Sequence, residues 1–342
     1  MELFLSQPIK RNSQVNYRLS LLDQSPIDGG QTATQALKAS LAFAQAAERL
    51  GYHRLWLSEH HDSEQLAGSS PEVLIAWLLA QTSTLRIGSG GVMLQHYSPY
   101  KVAENFHLLS ALAPDRVDIG IGKAPGGLPL STQALRAHAA SASAPGFPAQ
   151  LQQLTHYLTH LDQRLAGREA RALPCPPVAP QRFLLGASKE SARLAASLGW
   201  NFVFAGFINT SAEVMRESIL AFYEYSAGQG EALVSLAALA AESRQQAAEQ
   251  VAEKHNFRVT LGDRHVTVGT REQAEAFVQQ SGATQYRIER QPLNVLHGTS
   301  ADIHRQLADI QRDLRVNEFV IHTPLTDAEV RLASIKLLAG QR

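Results

Sequence analysis

The chain contains eight short apolar runs separated by helical patterns, and this alternation constrains its fold more than any other feature. The runs begin near residues 17, 54, 85, 117, 183, 202, 233 and 318. They are continuously apolar, as at 55–57 and 202–204, which is typical of strands covered on both faces of a sheet. Strands that alternate with helices indicate parallel βα units. Eight such units favour an α/β fold of the closed (β/α)8 TIM barrel type, although an open, doubly wound sheet is compatible with the same alternation.

Helical patterns fill the spaces between these runs, and two longer excursions interrupt them. Helices are predicted near residues 34–50, 71–80, 100–112, 149–165, 188–198, 212–225, 300–314 and 327–338. We therefore divide the chain into an N-terminal arm at 1–16 and one barrel domain at 17–342, with insertions at about 123–182 and 243–298. Within the second insertion, residues 257–268 are typical of a β-hairpin. Insertions of this length are commonly lids or binding loops, and structural decoration or a subunit contact is an equally good interpretation.

Composition and charge argue against several classes of protein. The chain has 31 Lys and Arg residues against 31 Asp and Glu residues, so its formal net charge is zero, and the basic residues are dispersed. Without a basic stripe, nucleic acid is not expected as a partner. A single cysteine, Cys175, excludes an internal disulfide, and no apolar run has the length of a signal-peptide core or a membrane span. A cytoplasmic protein without a membrane partner is the prediction.

The second apolar run ends in four titratable residues. Residues 55–57 are followed closely by Glu59, His60, His61 and Asp62. Ligands of α/β proteins gather at the carboxyl ends of strands, so this segment is a candidate site. Neighbouring residues of a strand point to opposite faces, so only one imidazole can enter a barrel mouth, and a metal site is not expected. One histidine used for hydrogen bonding or proton transfer fits this geometry, and a histidine held structurally by Glu59 or a carbonyl is the alternative.

The third and fourth runs end in glycine-rich turns. Residues 88–91 read Gly-Ser-Gly-Gly, and glycine in a strand often marks the close approach of a ligand to the backbone. A flat ring could rest on such bare main chain, although an ordinary turn explains the same residues. Residues 120–123 read Gly-Ile-Gly-Lys, which lacks the third glycine and the acidic partner of the dinucleotide-binding fingerprint. We therefore reject a Rossmann-type NAD site, while Lys123 remains available to balance a phosphate.

Two predicted helix starts could hold a phosphate. Ser188 and Ser191 lie where the fifth run passes into a helix, and the free amide hydrogens and positive dipole end of a helix suit an anion. Simple N-capping by Ser188 is the alternative. Residues 297–300 precede another helix, and the usual position of phosphates in barrels, near the seventh and eighth strands, favours this second start. The helix and barrel rules alone leave both starts open.

Taken together and in order, these motifs resemble those of the bacterial luciferase-like flavin-dependent monooxygenases. The motifs are residues 59–61, 88–92, 120–123, 188–192 and 298–300, and the likeness extends from about residue 17 to 339. The resemblance implies a (β/α)8 barrel that binds FMN non-covalently. It also implies that a separate flavin reductase supplies the reduced FMN, that dioxygen is the oxidant, and that a small organic molecule is oxygenated. A homodimer packed through barrel helices is a further implication.

The resemblance also assigns roles to individual residues. It places His60 beside the flavin ring as the catalytic histidine, and it implies a cis peptide between Gly90 and Gly91 under that ring. The cofactor-binding residues that it implies are Ser89, Gly90, Gly91, Lys123, Ser188 and Ser191. For the phosphate, it decides in favour of Ser188 and Ser191 over the later helix start.

Three positions depart from the resemblance, and three other functions compete with it. Lys123 stands where luciferases carry an arginine, Gly122 where they carry a reactive cysteine, and Gly206 where many relatives have a histidine. Lysine keeps the charge but loses the planar fork of arginine. The rival functions are hydride transfer with a deazaflavin on the same fold, flavin binding without turnover, and a metal-dependent hydrolase built on residues 59–62.

Overall fold

A computed structural model describes residues 17–137, 145–159, 170–252, 254–262 and 264–340. The predicted N-terminal arm at 1–16 lies outside the described residues, as does the second part of the helix predicted at 149–165. The described parts of both predicted insertions contain regular secondary structure, and the domain division itself stays a prediction.

Thirteen strands occur in the described part of the chain. They are β1 (Arg18–Asp23), β2 (Arg54–Leu57), β3 (Arg86–Ser89), β4 (Val92–Met93), β5 (Val117–Gly122), β6 (Gln181–Gly186), β7 (Asn201–Ala205), β8 (Ala232–Ala240), β9 (His255–Leu261), β10 (Arg264–Val268), β11 (Arg287–Pro292), β12 (Leu296–Gly298) and β13 (Glu318–His322).

Eleven α-helices and one short 3-10 helix, Leu94–His96, accompany the strands among the described residues. The α-helices are α1 (Ala33–Arg49), α2 (Pro71–Ala80), α3 (Pro99–Leu112), α4 (Pro129–Arg136), α5 (Phe147–Thr159), α6 (Lys189–Ser197), α7 (Ala212–Tyr225), α8 (Arg244–Val251), α9 (Arg271–Ser281), α10 (Ser300–Leu314) and α11 (Ala328–Ala339). None of these helices is long and apolar enough to cross a membrane.

Eight parallel strands close into a barrel. Their order around the ring is β8, β13, β1, β2, β3, β5, β6 and β7, and β7 pairs with β8 to complete it. Each of the eight predicted runs begins within two residues of one of these strands. The predicted (β/α)8 barrel is therefore confirmed, and the open sheet is excluded by the pairing of β7 with β8.

The alternation of side chains explains how these strands build two packed layers. On β2, Leu55 and Leu57 belong to the large apolar core that includes the surrounding helices, whereas Trp56 faces the barrel interior. The interior cluster consists of Leu22, Trp56, Phe183, Val203, Leu233 and Val320. Because both faces of each strand are covered, the strands read as continuous apolar runs in the sequence.

A charged cluster closes the amino-terminal end of the barrel, which we call the barrel floor. Arg54 is 1% exposed, and its Nε lies 2.6 Å from Oε1 of Glu318 while its Nη1 lies 2.8 Å from Oδ2 of Asp118. The guanidinium carbon also lies 4.8 Å from the ring centroid of Phe183. Although burial acts to lower it, Asp118 and Glu318 raise the pKa of Arg54 above its ordinary value. The buried charges of the floor are thus neutralised by one another.

The third strand carries one extra residue relative to its neighbour. Gly88 lies opposite Asp118 and Val92 lies opposite Ile121, so four steps along β3 and β4 accompany three steps along β5. This is the geometry of a β-bulge. The Ser89 hydroxyl fills the resulting gap in the ladder. This hydroxyl accepts a hydrogen bond from the main-chain amide of the facing β5 residue at 2.9 Å and donates one to the carbonyl of the same residue at 2.8 Å.

A small antiparallel sheet and a helix stand beside the barrel. β9 pairs with β10, which confirms the predicted hairpin, and β11 adds a third strand that was not predicted. Val259, Ala274 and Val278 form the core between this sheet and α9. α9 contacts α4, which follows the carboxyl end of β5, and the amide of Leu130 donates to the side chain of Gln280 at 3.1 Å. The second insertion is therefore tied to the first.

Candidate active site

The carboxyl ends of four neighbouring strands bring most of the predicted site residues into one arc. His60 follows β2, Gly90 and Gly91 lie between β3 and β4, and Lys123 follows β5. Ser188 follows β6 at the start of α6. Since β2, β3, β5 and β6 are consecutive in the barrel, these residues share one side of the carboxyl-terminal opening, which we call the barrel mouth.

His60 is a half-buried imidazole at this opening. Its Nδ1 lies 3.0 Å from the Ser58 hydroxyl, and its backbone amide donates to the carbonyl of Gly68 at 2.8 Å. Burial, with a smaller contribution from His61, lowers the pKa of His60 to about 4. The ring is therefore neutral near pH 7, so it can accept or donate a hydrogen bond without carrying charge.

His61 and Glu59 take part in a separate, structural network. Glu59 is fully buried, and its Oε1 accepts from Nε2 of His61 at 2.7 Å and from the hydroxyl of Tyr97 at 2.8 Å. Its Oε2 accepts from the amide of Met93 at 3.0 Å. Burial and the charge of Glu59 raise the pKa of Tyr97. Glu59 thus fastens the segment after β4 to the segment after β2.

The two adjacent histidine rings have different partners, as expected, but strand alternation is not the reason. β2 ends at Leu57, so His60 and His61 do not lie on a strand, and each ring follows its own hydrogen-bond partner. Across the described residues, no group of three or more His, Cys, Asp and Glu side chains is placed to hold a metal ion. The hydrolase alternative has no ligand set in that part of the chain.

Bare main chain forms the surface of the mouth above the interior cluster. The peptide bond between Gly90 and Gly91 is cis, as the resemblance implies. A Cβ atom on Gly90 would lie 2.8 Å from Leu22 and 2.9 Å from Trp56, so glycine is needed for close packing on the interior cluster. Ser89 is fully buried and its hydroxyl is occupied by the facing strand, which leaves only its main chain for a ligand.

The two candidate phosphate sites differ in what already occupies them. At the start of α10, the Asp302 carboxylate accepts from the amide of Thr299 at 3.2 Å and from its hydroxyl at 2.8 Å. Arg244 holds the same carboxylate at 2.5 Å. The pKa of Asp302 is lowered by Arg244 first and by Thr299 second. An internal carboxylate therefore already caps the α10 start, so a phosphate there would compete with Asp302.

At the start of α6, hydroxyl groups rather than a locked carboxylate meet the amides. Ser188 is the N-cap, and its hydroxyl accepts from the amide of Ser191 at 3.3 Å and lies 3.4 Å from the Ser191 hydroxyl. Its neighbour Glu190 is exposed, and hydrogen bonds from its own amide and from Ser188 lower the pKa of its carboxyl group. An exposed side chain of this kind can rotate into water, unlike Asp302.

The chain matches a known family over most of its length. The model for luciferase-like monooxygenases matches residues 17–317. The chain belongs to the luciferase-like monooxygenase family. It is 45% identical to N-acetyl-S-alkylcysteine monooxygenase of Bacillus subtilis, over 94% of this chain and 97% of that protein. It is 33% identical to a luciferase-like monooxygenase of Escherichia coli K12, over 93% and 95%. The crystal structure of apo-MsnO8, 30% identical, superposes with a TM-score of 0.75 over 95% of this chain and 97% of that chain.

These likenesses identify this luciferase-like chain as a monooxygenase, and the structure explains one of its departures from the sequence pattern. A Cβ atom on Gly206 would lie 2.8 Å from the carbonyl oxygen of Ser235 and 2.9 Å from the side chain of Leu236. With this backbone, a histidine side chain does not fit at that position. The next residue, Phe207, instead reaches the interior cluster.

Sequence reasoning missed two residues of the mouth in this luciferase-like chain. His322 ends β13, and its ring centroid lies 5.8 Å from that of Phe207. Like residues 59–62, His322 is a polar residue at the end of an apolar run, so the same signal could have found it. No comparable signal marks Phe207, which follows β7 as one aromatic residue among several.

Proposed function

We propose that the protein is an FMN-dependent monooxygenase that receives reduced FMN from a separate reductase and oxygenates a small organic molecule. The observation that carries the proposal is the single arc from His60 through Gly90 and Gly91 to Ser188, on consecutive strand ends of a luciferase-like barrel. A protein of the same fold, the FMN-bound oxygenating constituent of 3,6-diketocamphane monooxygenase, is 16% identical, with a TM-score of 0.66 over 95% of this chain and 98% of that chain. Its name supports a division between oxygenase and reductase.

The residues of the arc fit the two ends of an FMN molecule, its phosphate and its ring. The hydroxyls of Ser188 and Ser191 and the positive dipole end of α6 suit the phosphate, and Lys123 on the neighbouring strand end adds a positive charge. The bare main chain at Gly90 and Gly91 offers a flat surface to the ring. The occupied start of α10 leaves α6 as the better phosphate site.

Bound reduced FMN supplies the electrons with which dioxygen is activated. In this chain, His60 would hold or move a proton at Nε2, since its Nδ1 is engaged with Ser58 and its ring is neutral. The contact between α4 and α9 covers part of the rim, and the side chain of Gln273 bonds to that of Gln65 at 3.1 Å. These contacts would restrict water at the mouth during turnover.

We propose a thioether as the substrate, because the Bacillus subtilis relative at 45% identity is named for N-acetyl-S-alkylcysteine. The test combines the protein with FMN, NADH, a flavin reductase and N-acetyl-S-methylcysteine under 18O2. Incorporation of one labelled oxygen atom into the product, dependent on both FMN and the protein, is the expected result. Unlabelled product, or no product with any thioether tested, would contradict the proposal.

The deazaflavin alternative is tested on the same material. A dehydrogenase that uses the deazaflavin F420, 13% identical with a TM-score of 0.65 over 96% of this chain and 99% of that chain, shares the fold. Absorbance and fluorescence of the extracted cofactor separate the two flavin types, and we expect FMN. Binding of FMN without any oxygenated product would favour the non-catalytic flavin-binding protein.

We also propose a homodimer formed through α2 and α3. These adjacent helices expose Val73 (67%), Leu108 (50%) and Leu112 (70%) on their outer faces. Leu108 and Leu112 lie one turn apart on α3. Exposed large apolar side chains that neighbour each other in this way mark interaction surfaces, and a two-fold axis would pack this face on its copy. Light scattering should give twice the chain mass of 37.3 kDa, and Leu112→Glu should give a monomer. A monomeric wild-type protein would contradict this.

A further inference from the structure

The proposed flavin site occupies only half of the barrel mouth. Its residues belong to the ends of β2, β3, β5 and β6, whereas the ends of β7, β8, β13 and β1 complete the ring. An organic substrate needs a place beside the flavin, and this second half is the space that the arc leaves. The described residues there include two aromatic side chains that the proposed chemistry does not use, His322 and Phe207.

His322 lies on the inner face of the barrel at its upper end. Glu318 and Val320 precede it by four and two positions on β13 and face the interior, where Glu318 bonds to Arg54 and Val320 joins the interior cluster. Residues two apart on a strand share a face, so His322 continues this row into the mouth. It lies opposite Leu22 in the pairing of β13 with β1.

The surroundings of His322 are aromatic on one side and polar on the other. The ring of Phe207 lies at 5.8 Å between centroids with an interplanar angle of 54°. A ring nitrogen of His322 donates to the carbonyl of Leu22, and the titratable groups that act on the ring are Arg331, Asp23 and His60. Arg331 and Asp23 are paired with each other at 2.5 Å and are 4% and 0% exposed, so they offer no free charge to a ligand.

The protonation state of His322 follows from these neighbours. Burial and the nearby charge of Arg331 lower the pKa of His322 to about 4, so the ring is neutral near pH 7. A neutral imidazole that donates one N–H to a carbonyl keeps its other nitrogen as a hydrogen-bond acceptor. The ring therefore suits a ligand group that donates a hydrogen bond, such as an amide N–H.

We infer that His322 and Phe207 form the substrate subsite, in which His322 accepts a hydrogen bond from the amide N–H of an N-acylated amino acid and Phe207 packs against its thioether side chain. The inference rests on the proposed function and names the part of the molecule that selects the substrate. It makes His322 a specificity-determining residue, separate from the proton-transferring His60 and from the phosphate-binding serines.

The experiment measures equilibrium binding to the protein saturated with oxidised FMN, by calorimetry. The two probes are N-acetyl-S-methylcysteine and the ester analogue in which an oxygen atom replaces the amide N–H. We expect the wild-type protein to bind the amide about tenfold more tightly, because the ester leaves the buried acceptor without a donor. His322→Phe, which keeps an aromatic ring, should reduce this preference to less than about twofold.

Two further variants separate recognition from folding. His322→Asn tests whether a smaller polar side chain retains part of the preference, and we expect a loss of most of it. His297→Phe is the matched control, since His297 is an exposed histidine on β12 whose ring also bonds to a backbone carbonyl, that of Val295 at 2.9 Å. The control should keep the full preference for the amide.

The outcomes distinguish this inference from the proposed function. Failure of the wild-type protein to bind FMN would overturn the proposed function and the inference with it. Normal FMN affinity together with an unchanged amide preference in His322→Phe would overturn the inference alone. Equal affinity of the wild-type protein for the two probes, or no binding of either, would overturn it as well.

Discussion

The two ends of the barrel hold polar groups by opposite means. At the floor, Arg54 is buried and charged, and it is balanced by Glu318 and Asp118 at 2.6 and 2.8 Å. At the mouth, His60 and His322 are held without ion pairs, and burial keeps them neutral instead. The mouth also holds one buried ion pair, Asp23 with Arg331, so the difference lies in its histidines. These can still change their protonation or accept a ligand, whereas the charges of the floor are held in ion pairs.

This difference predicts that stability and function separate along the barrel axis. A substitution at the floor leaves a buried charge without its counter-charge in an apolar interior, and this lowers the free energy of unfolding. A substitution at the mouth removes a group whose structural contacts are few, so its main effect should fall on binding or turnover. The five predictions that follow test this separation, beginning with the largest expected effect.

The largest effect is expected for Arg54→Met. The substitution removes the buried cation that Glu318 and Asp118 share and leaves them only the contacts of Arg18 and Arg86, which should reduce the free energy of unfolding by about 3–5 kcal/mol. Urea denaturation followed by circular dichroism measures the change. Arg18→Met is the control, because Arg18 is 39% exposed at the same floor and should cost less than about 1 kcal/mol. Equal costs would break the comparison.

His60→Ala should leave stability nearly intact and impair chemistry. A positioned proton-transfer group contributes about a hundredfold or more to a rate, so single-turnover oxidation of substrate by bound reduced FMN should slow by that factor. The unfolding free energy should change by about 1 kcal/mol. Unchanged single-turnover kinetics would refute the role of His60. A loss of unfolding free energy as large as that of Arg54→Met would show that His60 is needed for the fold in the same way as the floor residues.

The double variant Ser188→Ala, Ser191→Ala should weaken FMN binding by about a hundredfold or more and leave riboflavin binding unchanged. Hydrogen bonds to a charged phosphate contribute about 1.5–3 kcal/mol each, and riboflavin has no phosphate. Ser211→Ala is the matched control, because Ser211 caps α7 in the same way as Ser188 caps α6. Flavin fluorescence quenching gives the affinities. Equal losses for both flavins would exclude a phosphate role.

The neutral histidines of the mouth should make the protein less stable in acid. The pKa values of His60 and His322 lie near 4 in the fold, against about 6.5 in an unfolded chain. The unfolded state therefore binds more protons between these values, so the stabilising effect is full above about pH 6.5 and declines as the pH falls towards 4. Replacing both by Asn should flatten this decline, as measured by urea unfolding at several pH values. An equally steep decline would contradict the assignment.

The smallest effect is expected for Glu48→Gln, on the floor side. Oε1 of Glu48 accepts the amides of Ser83, Thr84 and Leu85 at 2.7, 2.6 and 3.0 Å. Although partial burial acts to raise it, these bonds lower the pKa of Glu48 to about 2. Loss of the charge should cost about 1 kcal/mol of unfolding free energy without changing FMN affinity. Glu224→Gln, at an exposed site, is the control and should cost nothing measurable.

The sequence was sufficient to predict the barrel because its strands are buried on both sides. Continuous apolar runs that alternate with helical patterns are local signals, and they located all eight barrel strands. The unpredicted elements are short or partly exposed. α4 buries none of its residues, and β11 alternates between exposed and half-buried positions, so neither has a strong apolar pattern.

The candidate site was partly predictable for the same reason. His60 and Ser188 follow strands directly, and strand ends can be located from the sequence. The bond of Glu59 with His61 matches the structural alternative given for this segment, whereas its bond with Tyr97 could not be predicted, because Tyr97 lies 38 residues away and meets it only in the folded barrel. Asp302 caps the α10 start through a local bond pattern with Thr299, whereas its ion pair with Arg244 of the second insertion forms only in the fold. Such contacts between distant segments are the part of the site that local patterns do not predict.

The bulge in the third strand has a consequence for comparing this protein with its relatives. Ile87 and Val92 both pack towards the helices although they are five positions apart. In a regular strand, two residues separated by an odd number of positions lie on opposite faces. The single additional residue therefore shifts the alternation of inward and outward side chains by one position. A homologue without it would turn the residue equivalent to Val92 towards the barrel interior and the residue equivalent to Met93 towards the helices. An alignment that misplaces one glycine would assign the wrong side chains to the pocket.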